Sequence, residues 1–142
     1  IFNALLASRI RDKNWLSALE GEVWMINGSH SIFGPETFTD ELRIRLEKLE
    51  IHPTGPMWGK GELRTSTEVA DAELAVADAH QELCRGLEAA DLKQERRSLR
   101  IQVEGLDWSW PQNDQLQCSF VLPPGAYATE LLAELGELEE GA

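Results

Sequence analysis

The spacing of apolar residues changes once along this chain, and that change limits the folds open to it. Up to residue 89 they recur every third or fourth position: Phe2, Leu5, Leu6 and Ile10, then Leu42, Leu46 and Leu49, then Val69, Ala72, Val76, Ala79, Leu83 and Leu87. This is the period of a helix with one buried stripe. From Leu99 to Leu122 they take every second position: Leu99, Ile101 and Val103, then Leu106, Trp108 and Trp110, then Leu116, Cys118, Phe120 and Leu122. This is the period of a half-buried strand. Both periods in 142 residues predict an α+β fold with antiparallel pairing. A boundary between a helix-rich and a strand-rich part falls near residues 90–97.

Local signals refine the elements. Helices are predicted over 2–13, from a Thr37/Asp40 capping box to about Glu50, over 67–89, and from Tyr127 to about Leu138 with Leu131, Leu132 and Leu135 inward. Asn27-Gly28 lies between two apolar-rich runs, 22–26 and 29–33, and predicts a hairpin turn with positive φ at both residues. Gly34-Pro35 ends that hairpin. Five of the ten residues His52–Gly61 are Gly or Pro, which predicts a loop, packed through Met57 and Trp58. Residues 111–114 read as a turn and Pro123-Pro124-Gly125 as a break.

Charge restricts partners. Twenty-five acids face 13 bases, a formal net charge of −12, which by itself opposes binding to a polyanion or an anionic membrane surface. The charge is uneven. Residues 1–100 hold 17 acids and all 13 bases, a net of −4; residues 101–142 hold eight acids and no base, a net of −8. Five of those eight, Glu130, Glu134, Glu137, Glu139 and Glu140, fall on the predicted last helix and tail. Against this background Lys93, Arg96, Arg97 and Arg100 form a basic cluster, and Arg9, Arg11 and Lys13 a second. No apolar run approaches the roughly 20 residues that span a bilayer. Two cysteines outside any CxxC pair, Cys84 and Cys118, read as reduced, buried and cytosolic. The chain opens at Ile1 without Met or signal-type segment, and the expectation is a piece of a longer protein.

Most chemical motifs are absent. His80 and Cys84 have i, i+4 spacing but no third ligand, so no metal is expected. His30 and His52 have no companion acid, Ser29, Ser31 and Ser66 no nucleophile context, and Gly59-Lys60-Gly61 is too short to cradle a phosphate. An Arg fork at Lys93–Arg100 could hold phosphate or pair with the acidic surface, and spacing leaves both open. Trp108 and Trp110 share one strand face, as a base-stacking platform or, the more ordinary case, as a buried sheet face.

Five segments, in order and in register, resemble the TruD family of tRNA pseudouridine synthases. Residues 1–10, IFNALLASRI, resemble its LFNxxLxxRI helix. Residues 21–28, GEVWMING, resemble GDVxxLxGS. Residues 51–61, IHPTGPMWGKG, resemble the IHPTGPLWGRG part of its DIHPTGPLWGRG segment. Residues 94–100, QERRSLR, resemble QERRALR, and residues 120–135, FVLPPGAYATELLAEL, resemble FxLPxGSYATxxLREL. Ala126 and Ala133 stand where that pattern has Ser and Arg.

The resemblance implies residues 1–95 as part of the family's insertion domain and 96–142 as the C-terminal segment of its catalytic domain. It implies a cofactor-free isomerisation of uridine-13 of tRNA to pseudouridine in the cytoplasm, with tRNA and the N-terminal part of the same protein as partners. The family's catalytic Asp lies in a GxKDxxA-like segment and an aromatic of its uridine pocket in NYFGxQRFG; neither string occurs here. No catalytic residue is therefore assigned in this chain, and the chain alone is expected to be inactive. Lys60, Lys93, Arg96, Arg97 and Arg100 are implied RNA contacts, with an internal ion pair as the competing role for the paired arginines. Tyr127, Ala128 and Thr129 are an implied pocket wall. The alternative from another class is a non-catalytic acidic module that meets a basic protein.

Overall fold

The computed structural model describes residues 1–137, and the chain divides into two compact units, Ile1–Arg100 and Ile101–Ala142. The expectations for Leu138, Glu139 and Glu140 lie outside the described residues. In the first unit four antiparallel strands form one sheet in the order β2-β1-β3-β4. They are β1 (Trp24–Ile26), β2 (Ile32–Phe33), β3 (Ile51–Met57) and β4 (Glu95–Ser98). Four helices accompany them: α1 (Phe2–Arg11), α2 (Asp40–Glu47), α3 (Thr67–Ala79) and α4 (Gln81–Ala89). The second unit is an antiparallel hairpin, β5 (Glu104–Gln112) and β6 (Gln115–Val121), followed by α5 (Ala128–Ala133). The fold is α+β with antiparallel pairing.

The largest departure from the sequence expectation is β3. Residues 52–57 of the expected loop are a central strand, buried from Ile51 through Pro56. Proline normally argues against a central strand because it cannot donate to the ladder. Here the neighbours divide the strand: β1 pairs with Ile51–Pro53 and β4 with Thr54–Met57. Each proline thus meets one named partner strand, and the Pro53 carbonyl still accepts from Leu99 N at 2.9 Å.

Other corrections are smaller. The α2 cap is Thr39, whose Oγ1 accepts from Leu42 N at 3.3 Å; Thr37 precedes Phe38, which stacks on Trp24 at 5.9 Å. Trp24, Leu42, Leu46 and Ile51 form the core cluster against which Phe33 packs. Burial of side chains of this size contributes about 1.5–3 kcal/mol each. Only Gly28 of the Asn27-Gly28 pair takes positive φ. The helix expected over 67–89 breaks at His80 (φ −130°, ψ 37°) into α3 and α4. Its buried line is Val69, Glu73, Ala77 and Cys84, while Leu83 is exposed. The strand expected over 99–103 does not form; the β3–β4 register ends at Ser98 and Ile101 is exposed.

In the second unit, the register Trp108↔Cys118 puts Leu116, Cys118 and Phe120 on the Trp108 face. Leu131 and Leu132 of α5 are half-buried, but Leu135 is exposed, as are Trp108 (63%) and Trp110 (58%). The face expected to be buried is therefore open in this unit, because a two-stranded hairpin and a six-residue helix cannot cover it. Both cysteines are free thiols. No helix among the described residues is long and apolar enough to cross a membrane.

Candidate nucleic-acid interface

The paired arginines separate at the level of the strand. β4 sets Arg96 opposite Pro56 and Arg97 opposite Gly55, and successive residues of a strand point to opposite faces. Arg96 turns inward. It donates from Nη2 and Nη1 to the two oxygens of Glu73 (2.7 and 2.9 Å), from Nε to Thr54 Oγ1 (3.0 Å) and from Nη2 to the Thr54 carbonyl (3.0 Å). Thr65 Oγ1 donates to Glu73 Oε2 at 2.8 Å, and Thr54 Oγ1 to the Val23 carbonyl at 2.6 Å. The side chains of Arg96 and Glu73 are 4% and 0% exposed. Of the two roles open to Arg96, the internal ion pair is the one present.

Arg97 turns outward, its guanidinium 5.4 Å from the centre of the Phe2 ring. Gly55 allows this packing, since a Cβ there would come within 3.0 Å of the Phe2 ring and of Leu99. The segment after β3 lies beside the segment before β4. Lys60 N donates to the Leu92 carbonyl (2.6 Å), Gln94 N donates to the Lys60 carbonyl (2.8 Å), and Lys60 and Lys93 form a parallel bridge. Gly59 is required, because any Cβ would overlap the Leu92–Lys93 backbone. Trp58 Nε1 donates to Glu88 at 2.9 Å. Phe2, Met57, Trp58, Lys93, Glu95 and Arg97 thus border one open cleft of ≈ 420 Å³. Lys60 pairs with Asp91 at 2.6 Å, whereas Lys93 and Arg97 make no ion pair among the described residues.

Arg100 is held elsewhere. Its Nε donates to His52 Nδ1 (2.9 Å), and its Nη2 to the carbonyls of Leu46 (2.8 Å) and Ile51 (3.1 Å). His52 Nε2 meets Asn27 Oδ1 at 2.9 Å. Burial and the Arg100 charge push the His52 pKa down to about 4, so the ring is neutral at neutral pH. Of the five cations expected to face RNA, the fold gathers Lys60, Lys93 and Arg97 at one end of the sheet, buries Arg96 and ties Arg100 to His52.

Tyr127, Ala128 and Thr129 open α5 and are exposed, Tyr127 to 72%. The concavity of their unit is lined by Leu116, Cys118, Phe120, Leu132 and Leu135. His80 and Cys84 join no metal-competent group; the described residues hold no cluster of three or more His, Cys, Asp or Glu suited to an ion. Sequence reasoning missed a second interior pair, Arg9 Nη1 to Glu22 Oε2 at 2.8 Å, with both side chains under 5% exposed. Burial raises the Glu22 pKa and the Arg9 charge opposes the rise. Arg9 stands four residues after buried Leu5, and Glu73 four after Val69. The helical period alone marked both positions as inward, against their charge.

Comparison with known proteins adds the missing context. The family model described as tRNA pseudouridine synthase D (TruD) matches residues 1–135. Among relatives named tRNA pseudouridine synthase D, one from Xanthomonas oryzae pv. oryzae is 51% identical over 99% of this chain and 38% of its own length. Others from Nitrosococcus oceani and Pseudomonas aeruginosa are 42% and 41% identical over 99% and 97% of this chain, each over 39% of its own length. A crystal structure of the putative tRNA pseudouridine synthase D of Methanosarcina mazei has the same fold (TM-score 0.66, 22% identity, 94% of this chain and 35% of that one). The chain spans a little over a third of the length of these proteins. A match that runs from α1 through α5, across both compact units and with half the aligned residues identical in one relative, makes this chain a member of the tRNA pseudouridine synthase D family.

Proposed function

We propose that the longer protein to which this chain corresponds isomerises uridine-13 of tRNA to pseudouridine. The observation that carries the proposal is the family match over residues 1–135. Residues 1–95 are assigned to the insertion domain and 96–142 to the C-terminal segment of the catalytic domain. The remainder of the polypeptide is the partner that supplies the nucleophilic Asp and covers the open Trp108 face. The reaction needs no cofactor. Without the Asp-bearing segment, these 142 residues are inactive on their own.

Lys93 and Arg97 are the proposed RNA contacts, with Lys60 beside them. Both are exposed, neither is consumed by an ion pair, and a guanidinium over an aromatic ring still presents its edge to phosphate. Tyr127, Ala128 and Thr129 are proposed as pocket wall once the rest of the polypeptide is present. Arg96 and Arg100 act through the fold.

The test uses the full-length protein and the 142-residue chain, each incubated with an unmodified tRNA transcript. Pseudouridine is expected at position 13 from the former and nowhere from the latter. Product from the short chain, or at another position only, overturns the proposal. In the full-length protein, Lys93→Ala with Arg97→Ala should lower the salt dependence of tRNA binding by about two phosphate contacts. An unchanged slope removes both from the interface.

A further inference from the structure

We infer that His52 is a positioning residue for Arg100: as a neutral ring fixed in the Nε2–H tautomer, it holds the guanidinium that sets where the chain leaves the first compact unit. Arg100 is the last residue of that unit. β4 has ended at Ser98. Backbone and side-chain bonds together hold the exit: Ser98 Oγ donates to the Arg100 carbonyl and accepts from Arg100 N. Leu99 is buried, and its N–H reaches the Pro53 carbonyl at 2.9 Å. Arg100 adds three hydrogen bonds, one to the last turn of α2 through the Leu46 carbonyl and two to β3 through Ile51 and His52.

The tautomer follows from donor and acceptor arithmetic. Arg Nε–H can only donate, so His52 Nδ1 must accept and carries no proton. A neutral ring then has its proton on Nε2, which donates to Asn27 Oδ1 at 2.9 Å. Asn27, in the β1–β2 turn, is the orienting group. Protonated His52 would set N–H against N–H and cation against cation, and the clamp would open. The groups bonded to the ring are Arg100 from the exit segment and neutral Asn27 from the turn; Arg100 is the charge that acts on it. His52 itself is 3% exposed, so water does not compete for Nδ1. This inference does not depend on the reaction proposed above.

Two measurements on the full polypeptide test it. Trypsin must withdraw the Arg100 side chain before it can cut at Ile101. His52→Ala should speed that cut about tenfold or more. His52→Asn, whose Oδ1 can replace Nδ1 as acceptor, should stay within about threefold of the native rate. Cutting after Arg97, inside β4, should change little in either variant. Equal rates after Arg100 in all three proteins, or a parallel rise after Arg97, overturn the inference. The second measurement needs no variant: nitrogen chemical shifts of His52 at neutral pH should report an unprotonated Nδ1 coupled to the Arg100 Nε–H. An Nδ1–H tautomer or an imidazolium overturns it as well.

Discussion

Replacing Glu73 by Gln removes one charge from a fully buried group in the sheet unit. The native carboxylate takes two bonds from Arg96 and one from Thr65, at 2.7, 2.9 and 2.8 Å, with the side chain fully buried. Glutamine keeps one acceptor oxygen and turns an NH₂ toward a guanidinium that can only donate. Arg96 is then a cation 4% exposed with no counter-charge bonded to it. Breaking a buried pair from one side costs about 3–5 kcal/mol, because the partner's desolvation is no longer offset. Arg96→Met should cost a similar amount by stranding Glu73. Glu73→Leu with Arg96→Met strands neither charge, and its cost should be well below the sum of the two single changes. Urea unfolding read by amide exchange in β3 confines the measurement to the first unit. A cost under about 1 kcal/mol for Glu73→Gln would refute the reasoning. So would a double variant as unstable as the sum, since the pair would then have no coupling to lose.

Two further outcomes follow from the geometry. The folded pKa of His52, about 4, lies below its unfolded value of 6.5, so between those values the unfolded chain binds the extra proton and stability falls as the solution is acidified. The loss is about 1–3 kcal/mol and is complete near pH 4; the raised pKa of Glu22 acts in the opposite sense, so the comparison is native against His52→Asn, and identical pH profiles would contradict it. The 142-residue chain alone should self-associate at micromolar concentration through Leu106, Trp108 and Trp110, and Trp108→Ser with Trp110→Ser should return it to monomer; a native chain that sediments as monomer throughout would contradict this.

Periodicity reached the element types but misplaced what tertiary contacts decide. Helix α1 and the β5–β6 hairpin were legible because a local pattern suffices for each. β3 was not, because Gly55, Pro53 and Pro56 carry loop propensities that two half-length partner strands override. Gly55 and Gly59 are signs of close packing, whereas in the sequence they helped to predict a loop. The buried stripe of α3 runs one position on from the expected one, through Glu73 and Ala77 in place of Ala72 and Val76, because Glu73 has a buried ion-pair partner. Its partner lies 23 residues away in sequence, beyond any local window.

The same limit governs the candidate site. Arg96 and Arg97 are chemically identical neighbours, and as a sequence pattern they read as one basic patch. A strand cannot use them as one. Alternation sends Arg96 to Glu73 and Arg97 to the Phe2 edge of the cleft, so a single peptide bond separates an interior ion pair from a surface cation. Net charge is equally blind to this division. It counts Arg96 and Glu73 as one base and one acid, although neither contributes to the field that a phosphate would meet. A polyanion approaching this unit encounters Lys93 and Arg97 at the cleft, and Lys60 only through its exposed pair with Asp91. Which cations stay at the surface therefore depends on strand register, and register was set by the two proline-containing half-pairings of β3.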